Sequence, residues 1–149
     1  MPTEIKRITE DMLADVAELE RACFSEPWSE QSLRLLVGDR AVGFAAFFDG
    51  RLAAYAGMLC VLDEGQITNI ATYAEFRRRG LARMLLEAID GYSAANGISF
   101  LSLEVRASNT AARTLYASCS WRDAGVRKNF YKLPTEDAVI MTKTLSEVL

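Results

Sequence analysis

Apolar and polar residues follow two different periodicities along this chain, one typical of helices and one typical of strands. Near the start, Met12, Val16, Leu19 and Cys23 recur every three to four residues, which places them on one face of a helix. In the middle, two long apolar runs flank Asp49-Gly50, a dipeptide that favours a tight turn between antiparallel strands. The pattern therefore predicts both kinds of element in one chain.

The whole pattern predicts the element order β-α-α-β-β-β-α-β-α-β-β. Strands are expected at residues 5–8, 42–48, 52–62, 66–72, 98–105, 121–131 and 138–144, with a second turn at residues 63–65. Helices are expected at residues 9–24, 29–38, 81–97 and 109–118, capped by Thr9, by Ser29 and by Ser108 or Asn109. The order indicates a mixed α/β fold, an antiparallel meander followed by a strand-helix-strand crossover. No linker or repeat divides the sequence, so we expect a single domain over residues 1–149.

Composition and charge narrow the classes of function. The 149 residues are half hydrophobic and carry a formal net charge of -3, whereas a nucleic-acid-binding protein usually presents a large basic face. The apolar runs are too short to span a membrane and no signal peptide is apparent, so neither a membrane nor a nucleic-acid partner is expected. The three cysteines are widely spaced, which indicates small buried side chains rather than a metal site and fits a reducing cytoplasm.

The chain contains no histidine. Catalysis by a Ser-His or Cys-His pair, or by a metal held on histidine, is therefore excluded. A general base must come from Glu, Asp, Lys, Tyr, Cys or a chain of waters.

Basic residues cluster where a predicted strand gives way to a predicted helix. Arg77, Arg78, Arg79 and Arg83 surround Gly80 at the start of that helix. The positive end of the helix dipole disfavours cations there, and an anion would resolve the conflict by binding the exposed backbone N–H groups. The alternative is an ordinary solvated run of charges on an exposed turn.

A second group of candidate residues follows the next strand. Glu104 is an acid within an otherwise apolar strand, where burial would let it accept a proton near neutral pH; the alternative is a structural carboxylate paired with nearby Arg106. Asn109 and Tyr116 are seven residues apart and therefore share one face of a helix. They could point into one cleft, or serve only as a helix cap and a core aromatic.

These motifs resemble those of the GNAT acetyltransferase superfamily. The run Arg77-Arg78-Arg79-Gly80-Leu81-Ala82 is similar to its [RQ]-x-x-G-x-[GA] signature, whose backbone amides hold the pyrophosphate of acetyl-CoA. The resemblance covers the whole chain and implies the GNAT fold, an α/β (α+β) domain with a central mixed, mostly antiparallel twisted sheet flanked by helices. It implies acetyl-CoA as co-substrate without a metal. The cofactor-binding residues it implies are Ile70, Ala71, Thr72, Arg78, Arg79, Gly80, Leu81, Ala82, Arg83 and Asn109.

Further motifs resemble the RimI-type branch of that superfamily, the ribosomal-protein alanine N-acetyltransferases. The run from Leu103 to Tyr116 is similar to L-E-V-R-x-S-N-x-x-A-x-x-L-Y, which implies Glu104 as general base and Tyr116 as general acid. The runs at 24–29, 127–131 and 137–141 are similar to the branch's F-x-x-P-W-S, R-x-N-Y-Y and D-A-[IV]-x-M motifs. Two departures stand out: Ser120-Trp121 replaces the usual Gly-Phe, and Phe130 replaces a common Tyr.

The resemblance implies acetyl transfer to the N-terminal α-amine of a protein, with a ribosomal protein beginning with alanine as the expected acceptor. A second reading keeps the fold but acetylates a small amine or a lysine side chain. A third is a non-catalytic acetyl-CoA sensor or assembly module, which the presence of both Glu104 and Tyr116 disfavours.

Overall fold

The computed structural model of the chain describes residues 2–145. The strands are β1 (Thr3–Arg7), β2 (Ala41–Phe48), β3 (Arg51–Val61), β4 (Glu64–Thr72), β5 (Phe100–Arg106), β6 (Arg122–Lys132) and β7 (Thr135–Thr144). The helices are α1 (Leu13–Cys23), α2 (Glu30–Leu33), α3 (Leu81–Ala95) and α4 (Thr110–Ser118), with 3-10 turns at Glu10–Met12, Arg34–Val37 and Ala74–Phe76. The predicted element order is confirmed.

The strands form one mixed sheet in the order β1-β2-β3-β4-β5-β7-β6. Strands β1 to β4 are an antiparallel meander, as predicted. The turn between β2 and β3 falls at Asp49 and Gly50, whose φ angles of 52° and 81° are those of a tight hairpin turn. The mixed α/β fold implied by the sequence is therefore confirmed.

The predicted turn at residues 63–65 is displaced towards the N-terminus. Leu62 takes the left-handed conformation, with φ 55°, and β4 already begins at Glu64. Gly65 lies inside the strand, where a Cβ would sit 2.5 Å from Met58 Sδ and 2.8 Å from Leu101 Cδ2. This glycine therefore serves close packing rather than a turn, which the sequence alone does not distinguish.

Strands β4 and β5 pair over only part of their length. They run parallel from Glu64 opposite Phe100 to Gln66 opposite Ser102. Beyond that point β4 stays paired with β3 as far as Thr72, and β5 stays paired with β7 as far as Arg106. The two strands therefore separate, and within residues 2–145 no strand pairs with the edge of β4 that faces the gap.

Two apolar clusters bury the two faces of the sheet. One lies under α3, where Leu85, Leu86 and Ile89 are at most 2% exposed. The other lies under α1, where Leu13 and Leu19 are completely buried. The helical spacing that predicted these elements thus marks their packed faces.

Two of the three tested helix caps are confirmed. Ser29 Oγ accepts a hydrogen bond from Ser32 N at 3.1 Å, and Asn109 Oδ1 accepts one from Ala112 N at 3.2 Å. The prediction that Thr9 caps a helix is wrong, because its hydroxyl bonds the Asp11 carboxylate and a 3-10 turn precedes α1.

The three cysteines are free and half-buried, so the expectation of small buried side chains holds only in part. Among residues 2–145, none of the helices has the length and apolar character needed to cross a bilayer.

Candidate functional site

A cavity of about 650 Å³ opens where β4 and β5 separate. Its walls come from the two parting strands, from α4, from the loop after α1 and from the turn between β6 and β7. The residues that line it include Trp28, Asn69, Ile70, Glu104, Arg106, Asn109, Tyr116 and Tyr131. The sheet therefore forms this cavity at the point where the pairing of β4 with β5 stops.

Glu104 reaches this cavity from β5. Its side chain is 16% exposed, and Oε2 lies 3.3 Å from Nε of Arg127 on β6. The predicted neighbour Arg106 instead pairs with Glu136, with Nη1 3.1 Å from Oε1. The structural alternative for Glu104 is thus corrected: its cationic partner is Arg127. The Arg127 side chain is 56% exposed, so the pair lies at the edge of solvent and leaves the carboxylate available to the cavity.

Tyr116 reaches the same cavity from α4 and is 7% exposed. Burial, and to a lesser degree the neighbouring Tyr131, raise the pKa of Tyr116 above the ordinary tyrosine value. The phenol therefore remains protonated through the neutral range and can donate its proton only to a strongly basic atom. A carboxylate on one wall and a protonated phenol on another are the two groups that a proton-transfer site needs.

Asn109 lies at the first turn of α4, on the wall of the same cavity. Its carbonyl oxygen caps the helix, which leaves the amide NH₂ as the group available to a ligand. Ile70 also lines the cavity, whereas the side chain of Ala71 is packed in the cluster under α1 and Thr72 lies further along β4. The structure thus brings Ile70, Glu104, Asn109 and Tyr116 together.

The remaining predicted ligand-binding residues lie outside this cavity, at the start of α3. Gly80 has φ 78°, a left-handed conformation that favours glycine, and a Cβ there would meet nothing within 4 Å. Met84 N donates to Gly80 O at 3.1 Å, so the N–H groups of Leu81, Ala82 and Arg83 precede the first intrahelical bond. The turn is therefore an open group of backbone donors at the positive end of a helix.

The arginine side chains of this turn are held by neutral groups. Arg77 Nε donates to Thr72 O at 3.2 Å, and the Arg79 guanidinium lies 4.8 Å from the centre of the Phe48 ring. Arg83 donates to Ser118 Oγ at 2.9 Å and to Cys119 Sγ at 3.3 Å. Among the ion pairs of residues 2–145 none involves Arg77, Arg78, Arg79 or Arg83. The positive charge of the turn is thus left uncompensated, as an anion site requires.

The far side of the cavity is built from an irregular hairpin. Between Arg127 and Tyr131, β6 loses its register with β7, and Asn129 takes φ 53° while its N–H donates to Asp137 Oδ1 at 2.8 Å. Tyr131 packs under Arg106, with 4.3 Å between guanidinium and ring centre. Burial and the nearby Glu104 carboxylate raise the pKa of Tyr131 to about 12. Tyr131 therefore offers the cavity a second phenol that stays neutral.

The loop after α1 closes onto the turn of this hairpin. Ser25 Oγ donates to Leu133 O, and Lys132 N donates to Glu26 Oε1 at 3.1 Å. Arg106 holds the same turn from the sheet, donating to Pro134 O at 2.9 Å and to Leu133 O at 3.1 Å. The segment that carries the predicted Pro27-Trp28 motif therefore forms one wall of the cavity with the hairpin opposite it.

One residue beside the cavity was not among those predicted from the sequence. Glu20 lies on α1 and is completely buried, and burial raises the pKa of its carboxyl above the ordinary value. The signal was present in the sequence, because Glu20 follows Val16 by four residues and so falls on the apolar face of the helix. An acid on such a face is either paired or functional.

Comparison with known sequences gives a consistent result. The sequence model of the family described as "Acetyltransferase (GNAT) family" matches residues 13–121. A ribosomal protein bS18-alanine N-acetyltransferase from Salmonella typhimurium is 41% identical over 133 residues, which make up 87% of this chain and 88% of that relative. The enzyme of the same name from Haemophilus ducreyi is 36% identical over 140 residues, 92% of this chain and 97% of the relative.

Solved structures agree with the sequences. The crystal structure of the ribosomal-protein-S18-alanine N-acetyltransferase from Escherichia coli matches with a TM-score of 0.91 and 35% identity, covering 99% of this chain and 97% of that one. Arabidopsis thaliana NAA60 in complex with acetyl-CoA matches with a TM-score of 0.88 over 97% of this chain and 99% of that one. At 20% identity the second match shows the fold alone.

Proposed function

The chain belongs to the GNAT family of acetyltransferases, and on that premise we propose that it transfers an acetyl group from acetyl-CoA to the N-terminal α-amine of a protein. The observation that carries the proposal is the placement of Glu104 and Tyr116 on two walls of one cavity. The names of the relatives support a ribosomal protein with an N-terminal alanine as the acceptor, and hence action in the cytoplasm.

The start of α3 is the proposed site for the pyrophosphate of acetyl-CoA. Its backbone donors precede the first helical hydrogen bond, Gly80 leaves room for close approach, and the arginines make no ion pair among residues 2–145. The edge of β4 that faces the gap offers backbone groups for the pantetheine arm. The proposed contact set is Ile70, Ala71, Thr72, Arg78, Arg79, Gly80, Leu81, Ala82, Arg83 and Asn109.

Two residues of the chain would manage the protons. Glu104 takes a proton from the amine, directly or through a water, so that the nitrogen lone pair can attack the acetyl carbonyl carbon. A β4 N–H near Ala71 polarises the carbonyl. As the C–S bond breaks, Tyr116 donates its proton to the sulfur, a role supported by the raised pKa that keeps it protonated. Holding both reactants in one cavity supplies much of the rate gain.

The acceptor is proposed to enter between the loop after α1 and the β6–β7 hairpin. That side of the cavity carries backbone from both segments together with Tyr131. The opposite side is bounded by β4, and the donor would extend from there to the start of α3, which lies outside the cavity. The arrangement separates the two substrates and lets them meet at Glu104 and Tyr116.

The variant Glu104→Gln tests the proposal, because it keeps the shape of the side chain and removes its basicity. We expect kcat to fall by about 10²-fold or more, the usual contribution of a general base. Binding of acetyl-CoA should be retained. Glu64→Gln is the matched control, since it makes the same charge change on an exposed residue of β4 outside the cavity. Unchanged turnover in Glu104→Gln at neutral pH would rule out Glu104 as the base.

A panel of acceptors identifies the substrate class. Peptides that differ only in their first residues, tested beside polyamines, aminoglycosides and a peptide whose only amine is on lysine, should show acetylation at the α-amine, read out by mass spectrometry. Acetylation confined to small amines or to lysine would replace the proposed acceptor while keeping the family's reaction. Binding of acetyl-CoA without release of thiol towards any acceptor would indicate a sensor.

A further inference from the structure

Glu20 is a buried acid that the proposed reaction does not use. Its side chain is completely inaccessible to solvent, and Glu20 and Ser93 are the buried polar residues of the described chain. A buried carboxylate is costly because it loses its hydration. A carboxylate in the middle of the packed face of α1 therefore requires hydrogen-bond partners.

The carboxylate has three partners from three different segments. Oε1 accepts from Trp28 N at 2.8 Å, while Oε2 accepts from Asn69 Nδ2 at 2.9 Å and from the Tyr55 hydroxyl. These hydrogen bonds lower the pKa of Glu20, against the larger effect of burial, which raises it. A carboxylate suits this position because both of its oxygens accept and neither donates.

The partners lie on opposite sides of the proposed site. Trp28 belongs to the loop that walls the acceptor side, and its contact with Glu20 is made by the backbone. Asn69 belongs to β4, immediately before Ile70 on the proposed donor side. It also follows an irregularity in β4, where Thr68 is inserted between the pairs Gly57–Asn69 and Met58–Ile67. One carboxylate thus joins the acceptor wall to the donor strand at a point where the strand is irregular.

We propose that Glu20 is a positioning residue that fixes the acceptor loop at Trp28 relative to the donor strand at Asn69. The inference rests on the proposed function, because it assigns the two sides of the cavity to acceptor and donor. A buried charge is a poor means of adding stability, since an apolar side chain of similar volume often stabilises as well or better. The arrangement is suited to fixing geometry, because it holds the main chain of the loop directly, at the N–H of Trp28.

Two substitutions separate positioning from simple packing. Glu20→Leu keeps the approximate volume of the side chain and removes all three hydrogen bonds that the Glu20 carboxylate accepts. Glu20→Gln is the conservative variant: its carbonyl oxygen can keep the Trp28 N–H, and its NH₂ can donate to the Tyr55 oxygen and to a reoriented Asn69 amide. Leu13→Ala is the control for lost stability, because Leu13 is completely buried on the same helix and has no part in the cavity.

Steady-state kinetics give the first measurement. For Glu20→Leu we expect KM for an N-terminal alanine peptide to rise about tenfold, the scale of one lost hydrogen bond to a charged group. The dissociation constant of acetyl-CoA should stay within about twofold of wild type, because the turn at α3 is untouched. Glu20→Gln should have a peptide KM much closer to that of wild type than Glu20→Leu has. Leu13→Ala should lower the melting temperature and leave the peptide KM and the dissociation constant of acetyl-CoA unchanged.

Tryptophan fluorescence gives a measurement that needs no turnover. The chain has two tryptophans, so a Trp121→Phe background leaves Trp28 as the reporter. Glu20→Leu should increase quenching of Trp28 by acrylamide and Glu20→Gln should not, with Leu13→Ala again as control. Unchanged quenching and unchanged peptide KM in Glu20→Leu would overturn the inference, as would a change shared equally by Leu13→Ala. If the wild-type protein acetylates no α-amine, the proposed function fails, and the quenching result still decides the role of Glu20.

Discussion

The end of α4 allows a stability prediction with a definite sign. Ser120 has φ 74°, a left-handed conformation that an L-residue other than glycine seldom adopts. It sits in a Schellman motif, in which Trp121 N donates to Tyr116 O at 3.0 Å and Ser120 N donates to Ala117 O at 3.2 Å. The motif is fully formed although its usual glycine is missing, so the strain is present in the folded state. Replacing Ser120 with glycine should relieve it.

The magnitude follows from two opposing terms. A left-handed conformation costs an L-residue about 1–2 kcal/mol. Glycine has more freedom in the unfolded chain, which offsets about 0.5–1 kcal/mol of that gain. The Ser120 side chain is exposed, so no packing is lost. Ser120→Gly should therefore raise the free energy of unfolding by about 0.5–1 kcal/mol and the melting temperature by about 1–4 °C.

Thermal unfolding and urea titration would measure this difference. Ala117→Gly is the matched control, because Ala117 is exposed in the last turn of the same helix and keeps helical angles. That variant should lower the free energy of unfolding by about 1 kcal/mol, the cost of glycine within a helix. The reasoning is refuted if Ser120→Gly is no more stable than wild type, or if both glycine variants change stability in the same direction.

The remaining predictions concern proton transfer and packing. Tyr116→Phe should lower kcat by about 10²-fold while acetyl-CoA binding persists, as seen by thiol release and calorimetry. Because burial raises the pKa of Tyr116, the wild-type kcat should show no loss from tyrosine ionisation up to about pH 10, the ordinary tyrosine value; a decline that Tyr116→Phe abolishes would contradict this. Trp121→Phe should cost less than about 1 kcal/mol in a urea titration, because the buried Trp121 Nε1 has no hydrogen-bond partner among residues 2–145 and its loss offsets the lost volume. Gly57→Ala should lower the free energy of unfolding by about 1–3 kcal/mol, because the new Cβ would lie 2.6 Å from Thr68 Oγ1 and 2.9 Å from Leu36 Cδ2. Gly91→Ala in α3 is its control and should be stabilising, since nothing lies within 4 Å.

Local features of the fold were readable from the sequence because they depend on neighbours in the chain. The spacing of Val16 and Leu19 marked the packed face of α1, and Asp49-Gly50 marked the hairpin turn. The position of Gly65 was misread, because a glycine that permits a turn and a glycine that permits close packing look the same without the opposing Met58. Glycine thus becomes interpretable only when its neighbours in space are known.

Features that depend on pairing between distant strands were not readable. Alternation indicates a strand but carries no information on which strand lies beside it. The early separation of β4 from β5, which creates the cavity, follows from that pairing. So does the partner of Glu104: Arg106 is the near neighbour in sequence, whereas Arg127 reaches the carboxylate from β6, across the intervening strand β7. The candidate residues could be named from the sequence, and their partners could not.

The short pairing of β4 with β5 also determines how the width of the cavity is set. Three residue pairs join β4, the last strand of the meander, to β5, and Gly65 belongs to the middle pair. Strands β4 and β5 are paired at one end, so a small change in their relative orientation at that junction becomes a larger change in distance at the open end. Leu101 and Met58 already fill the space where a Gly65 side chain would stand. Any residue larger than glycine at this position would have to push the Met58 and Leu101 side chains aside, and would so disturb the junction between the strands that carry Ile70 and Glu104, without itself touching either substrate.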